Sequence, residues 1–325
     1  MGVTDVSGAK QIVRTVLGDV APDALGVTDY HEHLLQVSPL LADDALDDEH
    51  KSQAEAQDLA SHGIGAMIEA TPMGLGRDDE AVARISAATG LAIVHVTGAH
   101  HRDHYREDHP LVTANEESLT SFFLNDVLDG FKRRDGKRSQ SPTGEPIRAG
   151  MVKTGIRYWA IGDFERRVLA AAARTHVATG APIMVHTTHG SAGHEVLDRL
   201  EADGVPRSSV VLAHMDRNLD PGLWADLTAS GAYLGMDGMA RHREAPDSAI
   251  TQAIRALVEA GGGERILLGG DVARASRYIA YGGMPGLAYL QRRFVPRLTD
   301  AVGDDAVRAI QVANPARLLA FTPRG

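Results

Sequence analysis

GVTDYHEHLL, residues 26–35, is an apolar run that ends in two histidines one residue apart. Because side chains i and i+2 of a β-strand point to the same face, His31 and His33 are expected to project together. Such a pair suits two ligands of one metal ion, but among 15 histidines one His-x-His spacing also arises by accident. The stretch is the first of a series along the chain, and the whole series decides between these interpretations.

Eight short β-rich apolar runs recur along the chain, and most are followed by a helical pattern. They are GVTDYHEH, IGAMIEAT, LAIVHVTG, IRAGMVKTG, APIMVHT, SVVLAHM, GAYLGMDG and RILLGGD. The clearest helical pattern is DFERRVLAAAARTHVATG at residues 163–180, where strong helix formers end at Gly180. Strand followed by helix eight times predicts an α/β fold of the (β/α)8 TIM barrel class.

The remaining segments add little to this barrel. QIVRTVLGDVAPDALG, residues 11–26, is expected to form a small N-terminal hairpin, and residues 132–146 are expected to form a charged surface loop. We find no composition break, so residues 1–325 are predicted to be a single domain.

Composition limits the classes of function. No apolar run approaches the ~20 residues needed to cross a bilayer, and the N-terminus lacks the pattern of a secretory signal. The chain has no cysteine, which excludes a thiol nucleophile and a thiolate zinc site, and a cytoplasmic location is expected. A net charge of −10 and a pI near 5.8 argue against nucleic acid or an anionic membrane as partner.

Side chains that can bind metal ions or transfer protons lie where the predicted strands end, and these ends form the functional face of such a barrel. They are His31, His33, Lys153, His186, His214 and Asp271. Imidazole and carboxylate suit zinc and similar ions, and two such ions can drive hydrolysis. A lysine beside two cations loses its proton readily and can add carbon dioxide to become an anionic carbamate; the alternative is an ordinary buried lysine.

The ordered motifs VRTVLG, GVTDYHEHL, GLGRD, GMVKTG, ATGAPIMVHT, LAHMDRN, GGD and NPARLL resemble the phosphotriesterase family of the amidohydrolase superfamily over nearly the whole chain. The resemblance implies one metal ion held by His31, His33 and Asp271, and a second held by His186 and His214. A carboxylated Lys153 and a hydroxide would bridge two divalent ions, with Zn²⁺ expected. Asp271 would also handle the proton that passes to the leaving alkoxide.

Departures from the family pattern concern the substrate. Organophosphate-hydrolysing members carry an aspartate three residues after the histidine of the sixth predicted strand, which is His214 here. They also carry a histidine directly after the aspartate of the seventh predicted strand, which is Asp237 here. Here Arg217 and Gly238 occupy these positions, so the proton relay is missing. The arginine that homoserine-lactone hydrolases carry directly after the strand-seven aspartate is also absent.

The basic residues of the last two loops are similar to those of members that hydrolyse phosphorylated sugar lactones. Arg241, Arg243, Arg274, Arg277 and Tyr278 are therefore predicted to bind a substrate phosphate. Solvated arginines paired with surface carboxylates such as Glu244 and Asp247 are the alternative for these positions.

The leading hypothesis is a binuclear metal-dependent lactonase that acts on a phosphorylated sugar lactone. The alternatives are an organophosphate hydrolase, an acyl-homoserine lactonase and a non-catalytic binding relative. The expected partner is a small anionic substrate, and a homodimer is a candidate assembly. His100, His101 and His104 are expected to lie in a solvated loop that faces the substrate.

Overall fold

A small hairpin precedes the main body of the protein in the computed structural model, which describes residues 10–133, 135–241 and 243–324. Strands β1 (Val13–Thr15) and β2 (Gly18–Val20) pair antiparallel, with Val13 opposite Val20. The predicted N-terminal hairpin is therefore confirmed. The predicted surface loop at residues 132–146 lies between a helix and a strand and contains isolated bridges rather than regular strands.

Eight parallel strands form one sheet in which each strand pairs with the next strand along the chain. They are β3 (Thr28–Glu32), β4 (Ala66–Glu69), β5 (Ala92–Gly98), β6 (Met151–Ile156), β7 (Ile183–Thr187), β8 (Val210–Ala213), β9 (Tyr233–Met236) and β10 (Ile266–Leu268). The backbone N–H of Asp271, beyond β10, donates to the carbonyl of His31 in β3 at 2.8 Å. This contact brings the two ends of the sheet together, so the strands form a nearly closed barrel, as predicted.

Helices connect successive strands and cover the outside of the barrel. The α-helices are α1 (Glu49–Ser61), α2 (Asp79–Thr89), α3 (Pro110–Thr113), α4 (Glu116–Leu128), α5 (Asp163–Thr179), α6 (Gly193–Ala202), α7 (Pro221–Ala229), α8 (Asp247–Glu259), α9 (Val295–Val302), α10 (Asp304–Arg308) and α11 (Asn314–Leu319). Two π-helical segments span Leu290–Phe294 and Ala309–Ala313. Within the described residues, no helix is both long and apolar enough to cross a membrane.

Helix α5 ends at the glycine that the sequence offers as its C-terminal cap. Gly180 adopts a left-handed conformation, with φ of 83°, and its N–H donates to the carbonyl of His176. Glycine adopts this conformation without a steric penalty, so it is favoured at that position. The predicted helix over residues 163–180 is confirmed.

Alternation along the strands separates the inside of the barrel from the helix-facing side. On β6 and β7, Met151 and Met184 belong to the core cluster inside the barrel, whereas Val152 and Ile183 pack with the outer layer. Lys153 and His186 lie two residues beyond the inner pair, so they continue the inward-facing rows. The strand period therefore places these polar side chains at the inner rim, above an apolar floor.

Candidate active site

Six polar side chains meet at the carboxyl ends of the barrel strands. They are His31, His33, Lys153, His186, His214 and Asp271, which are the residues singled out from the sequence. His31 Nε2 and His33 Nε2 lie 3.6 and 3.5 Å from Asp271 Oδ1. Lys153 Nζ is 2.9 Å from His31 Nε2, and His214 Nε2 is 2.7 Å from His186 Nδ1. The structure therefore gathers the whole predicted set into one cluster.

The backbone is strained at two of these positions. His214 and Asp271 have φ values of 67° and 44°, in the left-handed region that residues other than glycine seldom occupy. Each lies just after a barrel strand, where the chain turns away from the sheet. Strain of this kind persists only where surrounding contacts enforce it, and it concentrates at functional sites.

Asp237, at the end of β9, orients two of the histidines. His214 Nδ1 donates to its Oδ1 at 2.7 Å, and His31 Nδ1 donates to its Oδ2 at 3.0 Å. Tyr30 also donates its hydroxyl to Oδ2. Because Nδ1 carries the proton in both rings, each Nε2 is left with a free lone pair. Sequence reasoning did not assign Asp237 to the site, although it ends a strand in the same way as the assigned residues.

The other two histidines are also held in defined tautomers. Thr188 donates its hydroxyl to the carbonyl of Ile156, so its oxygen accepts from His186 Nε2 at 3.3 Å. His33 Nδ1 lies 2.8 Å from Thr71 Oγ1, whose hydroxyl donates to Glu69. His186 therefore turns a free Nδ1 toward the cluster, and His33 turns a free Nε2.

This donor set fits divalent metal ions. His214 and His186 approach with two unprotonated ring nitrogens 2.7 Å apart, and such lone pairs repel unless a cation lies between them. One His/Asp group of suitable geometry with free nitrogen lone pairs is His31, His33 and Asp271. Imidazole nitrogen and carboxylate oxygen are the ligands that zinc-like ions prefer.

Burial favours the unprotonated forms of His31, His186 and Lys153. It lowers the pKa of His31 to about 3, with a further contribution from the positive charge of Lys153. Burial also lowers the pKa of Lys153 to about 8. The pKa of His186 lies well below its usual value because of burial and the neighbouring His214. Neutral imidazoles and a readily deprotonated amine are the forms that metal binding and carbamate formation require.

Two arginines contact the far oxygen of Asp271. Arg217 and Arg241 each donate to Oδ2, at 2.8 and 2.9 Å, while Oδ1 faces the histidines. Burial alone would raise the pKa of Asp271, but Arg241 and the histidines hold it well below its usual range. Arg217 occupies the position where organophosphate-hydrolysing relatives carry an aspartate. It pairs with Asp271 and Glu244 and supplies no acidic relay.

The cluster forms the floor of a cavity of about 280 Å³. Its wall is basic where Arg217, Arg241, Arg274 and Arg277 line it, and apolar at Leu40 and Leu41. A carboxylate from Glu244 and an amide from Gln36 complete the polar lining.

Two of the residues predicted to contact substrate phosphate need correction, and a third is held by other contacts. Tyr278 is fully buried and donates its hydroxyl to the carbonyl of His33, so it positions the β3 loop instead. Arg243 is exposed and does not line the cavity. Arg241 lines the cavity, but its terminal nitrogens donate to Asp237 and Asp271, which commits them to holding the ends of β9 and β10.

The histidine-rich loop after β5 faces the cavity, as expected, but its first two histidines are not solvated. His100 and His101 are buried. The centroid of the His100 ring lies 3.6 Å from that of the His104 ring and 4.4 Å from that of the His186 ring. The N–H of His101 donates to His100 Nδ1 at 2.8 Å, so the proton of the His100 ring must lie on Nε2. His100 therefore offers a hydrogen-bond donor to the cavity rather than a metal ligand.

A parallel eight-stranded barrel that gathers such a cluster at the carboxyl ends of its strands defines an enzyme of the hydrolase class. The chain matches the sequence profile of the Phosphotriesterase family over residues 11–319. This protein belongs to the phosphotriesterase family.

Similar proteins agree with this assignment. A phospho-furanose lactonase of Mycoplasmopsis synoviae is 30% identical over 96% of this chain and 92% of the relative. The crystal structure of a lactonase from Listeria monocytogenes superposes with a TM-score of 0.87 and 34% identity, covering 95% of this chain and 99% of the other. An amidohydrolase from Mycoplasma synoviae superposes with a TM-score of 0.90 and 28% identity, covering 97% and 94%.

Proposed function

We propose that this protein is a metal-dependent lactonase that opens the ring of a lactone carrying a phosphate group. The observation that carries the proposal is the cluster of four tautomer-fixed histidines, one lysine and one aspartate beside an arginine-lined wall. The names of the phospho-furanose lactonase and the lactonase among similar proteins support the same reaction.

His31, His33 and Asp271 would hold one divalent ion, and His186 and His214 would hold the other. Lys153, as a carbamate, would supply the anionic ligand between them, and its lowered pKa of about 8 leaves part of the amine free to react with carbon dioxide. Nitrogen and oxygen ligands of this kind favour Zn²⁺. Two ions held there would generate a nucleophile from water at neutral pH and polarise the lactone carbonyl.

The protein's own groups would then handle the proton. Asp271 lies at the centre of the cluster and is the proposed acceptor of the proton released by the nucleophile. Arg217 and Arg241 favour its ionised form, so a proton would not stay on Oδ2. A carboxyl group held in this way transfers its proton readily to a strongly basic leaving alkoxide.

Arg277 is the best-placed anchor for the phosphate. Its side chain is half-buried. Among the described residues, the guanidinium makes one hydrogen bond, a long contact of 3.4 Å to the carbonyl of Met239. Burial and the neighbouring Arg241 lower its pKa to about 10. A guanidinium that lacks a compensating carboxylate would be stabilised by an anionic substrate group.

Arg274 would assist from the rim of the cavity. Its side chain is exposed, and its nearest carboxylate, Asp44, is 3.9 Å away. This long contact leaves the guanidinium able to turn toward a phosphate. The arginine pair would thus offset the acidic net charge of the protein at the cavity.

The proposal is tested by comparing hydrolysis of a γ-lactone with and without a phosphate, an acyl-homoserine lactone and an organophosphate triester, each with and without added Zn²⁺. We expect metal-dependent turnover and the highest kcat/KM for the phosphorylated lactone. Protein that binds no divalent ion after supplementation would favour the non-catalytic alternative. A preference for the triester would overturn the lactonase assignment.

A matched pair of variants tests the phosphate site. Arg277→Ala should lower kcat/KM for the phosphorylated lactone by about ten- to a hundredfold, because a charge-assisted hydrogen bond contributes ~1.5–3 kcal/mol. The unphosphorylated lactone should be much less affected. Arg243→Ala, in the neighbouring loop but outside the cavity, is the control and should change neither. Equal losses on both substrates would contradict the phosphate assignment.

A further inference from the structure

A chain of buried polar contacts leads away from His33 on the side opposite the cluster. His33 Nδ1 lies 2.8 Å from Thr71 Oγ1, and Thr71 Oγ1 lies 2.7 Å from Glu69 Oε1. Glu69 ends β4, and Thr71 follows two residues later. All three side chains are at least nine-tenths buried, so each polar atom depends on its protein partners.

Three donors hydrogen-bond to the Glu69 carboxylate. Oε1 accepts the N–H of Leu34 at 3.0 Å and the Thr71 hydroxyl, and Oε2 accepts the N–H of Thr71 at 3.1 Å. His95 Nδ1, 3.2 Å from Oε2, accepts the N–H of Val96 at 3.0 Å and so faces Oε2 as a second acceptor. Among the described residues Oε1 faces two donors, the Leu34 N–H and the Thr71 hydroxyl, and therefore acts as an acceptor.

The direction of the hydrogen bonds follows from this arrangement. The Thr71 hydroxyl has one hydrogen, and it is directed at Glu69. The oxygen can therefore only accept from His33, so His33 must carry its proton on Nδ1. Nε2 is then unprotonated on the edge of the ring that faces Asp271 at 3.5 Å.

More buried charges lie behind His95, which packs beside Glu69. His95 Nε2 lies 3.2 Å from Asp79 Oδ1, and Arg77 Nε contacts the same oxygen at 3.2 Å. Arg77 also pairs with Asp126 at 3.1 Å. The network thus reaches from the cluster to the N-terminus of α2, where it is anchored by an ion pair.

We propose that Glu69, acting through the Thr71 hydroxyl, is the positioning residue that fixes the tautomer and orientation of His33 for metal binding. This inference rests on the proposed metal centre, but it does not depend on the proposed substrate. Partners that orient a metal-bound histidine in this way typically change metal affinity by 10–100-fold when they are removed. The effect should be concentrated on the ion held by His31, His33 and Asp271.

The test compares Thr71→Val, which removes only the hydroxyl, with Thr71→Ser, which keeps it. Metal-free protein is titrated with Zn²⁺ against a chromophoric chelator. Thr71→Val should weaken binding of one ion by about 10–100-fold, and Thr71→Ser should restore binding close to that of the wild type. Thr175→Val removes a buried hydroxyl that is bonded to Ala171 in α5, far from the cluster, and is the matched control.

Nitrogen NMR of the imidazole rings in metal-free wild-type protein gives a second readout that a purely structural role would not produce. We expect the His33 proton on Nδ1, and a shift toward the other tautomer in Thr71→Val. A wild-type proton on Nε2 would overturn the proposal even if the valine variant did not fold. Unchanged metal affinity in Thr71→Val, or an equal loss in Thr71→Ser, would also overturn it. Wild-type protein that binds no metal would refute the proposed function instead.

Discussion

Asp237→Asn is the most informative single substitution at the metal cluster. Asp237 is fully buried and accepts from His214 on Oδ1 and from both His31 and Tyr30 on Oδ2. Burial would raise its pKa, but electrostatic interaction and hydrogen bonding with His214 and His31 hold it well below the usual range. Asparagine has nearly the same shape but replaces one acceptor oxygen with an NH₂ donor.

The geometry predicts which metal ion is affected. The Oδ2 position serves two donors, so the amide oxygen of the asparagine should remain there, and its NH₂ group should face His214 Nδ1. Two donors cannot pair, so His214 must move its proton to Nε2 and thereby lose the lone pair that faces His186. Loss of such a partner weakens metal binding by roughly 10–100-fold, or about 1.4–2.8 kcal/mol.

Metal analysis and chelator competition would measure this effect. At limiting metal, the variant should retain about one ion per chain where the wild type retains about two, and kcat/KM should fall with it. Asp198→Asn, at an exposed ion pair with Arg207, is the control for loss of one carboxylate. If Asp237→Asn bound both ions with wild-type affinity, the tautomer argument would be refuted.

Other predictions concern the lysine, the packing behind the cluster and stability. Lys153→Ala should be nearly inactive, and short carboxylic acids should partly restore turnover by supplying the missing anion; density for an unmodified lysine beside two bound metals would falsify the carbamate. Gly155→Ala should lower the melting temperature and disturb the loop after β5, because an added Cβ would lie 2.9 Å from the N–H nitrogen of His101. Burial lowers the pKa of His176 below its usual value of 6.5. As the pH falls, the unfolded chain therefore binds a proton at this residue before the folded protein does. The free energy of unfolding should decrease between pH 6.5 and the lowered pKa. Urea denaturation at about pH 5.5 and about pH 7.5 should show a smaller difference for His176→Gln, and an unchanged difference would remove His176 as a contributor.

Local patterns in the sequence were sufficient for the barrel and for the cluster. Each strand is a short apolar run that ends at polar residues or glycine, and parallel strands in a closed barrel must bring their carboxyl ends to one face. His31 and Asp271 could therefore be placed together although 240 positions separate them in the chain. The helix over residues 163–180 followed from composition and from its glycine cap for the same local reason.

The partners of those side chains depended on the tertiary structure. Asp237 reaches His31 across 206 positions of sequence, and the Tyr278 hydroxyl reaches the carbonyl of His33 across 245. The hydrophobic periodicity of the sequence does not indicate such contacts, because they arise from how the loops pack over the barrel mouth. The same packing buries Tyr278 and commits Arg241 to Asp271, while Arg277 is left without a carboxylate partner among the described residues. The sequence by itself determined which groups stand at the active face, and the tertiary structure decided which of them are free to act, because hydrogen bonding and burial depend on neighbours in space.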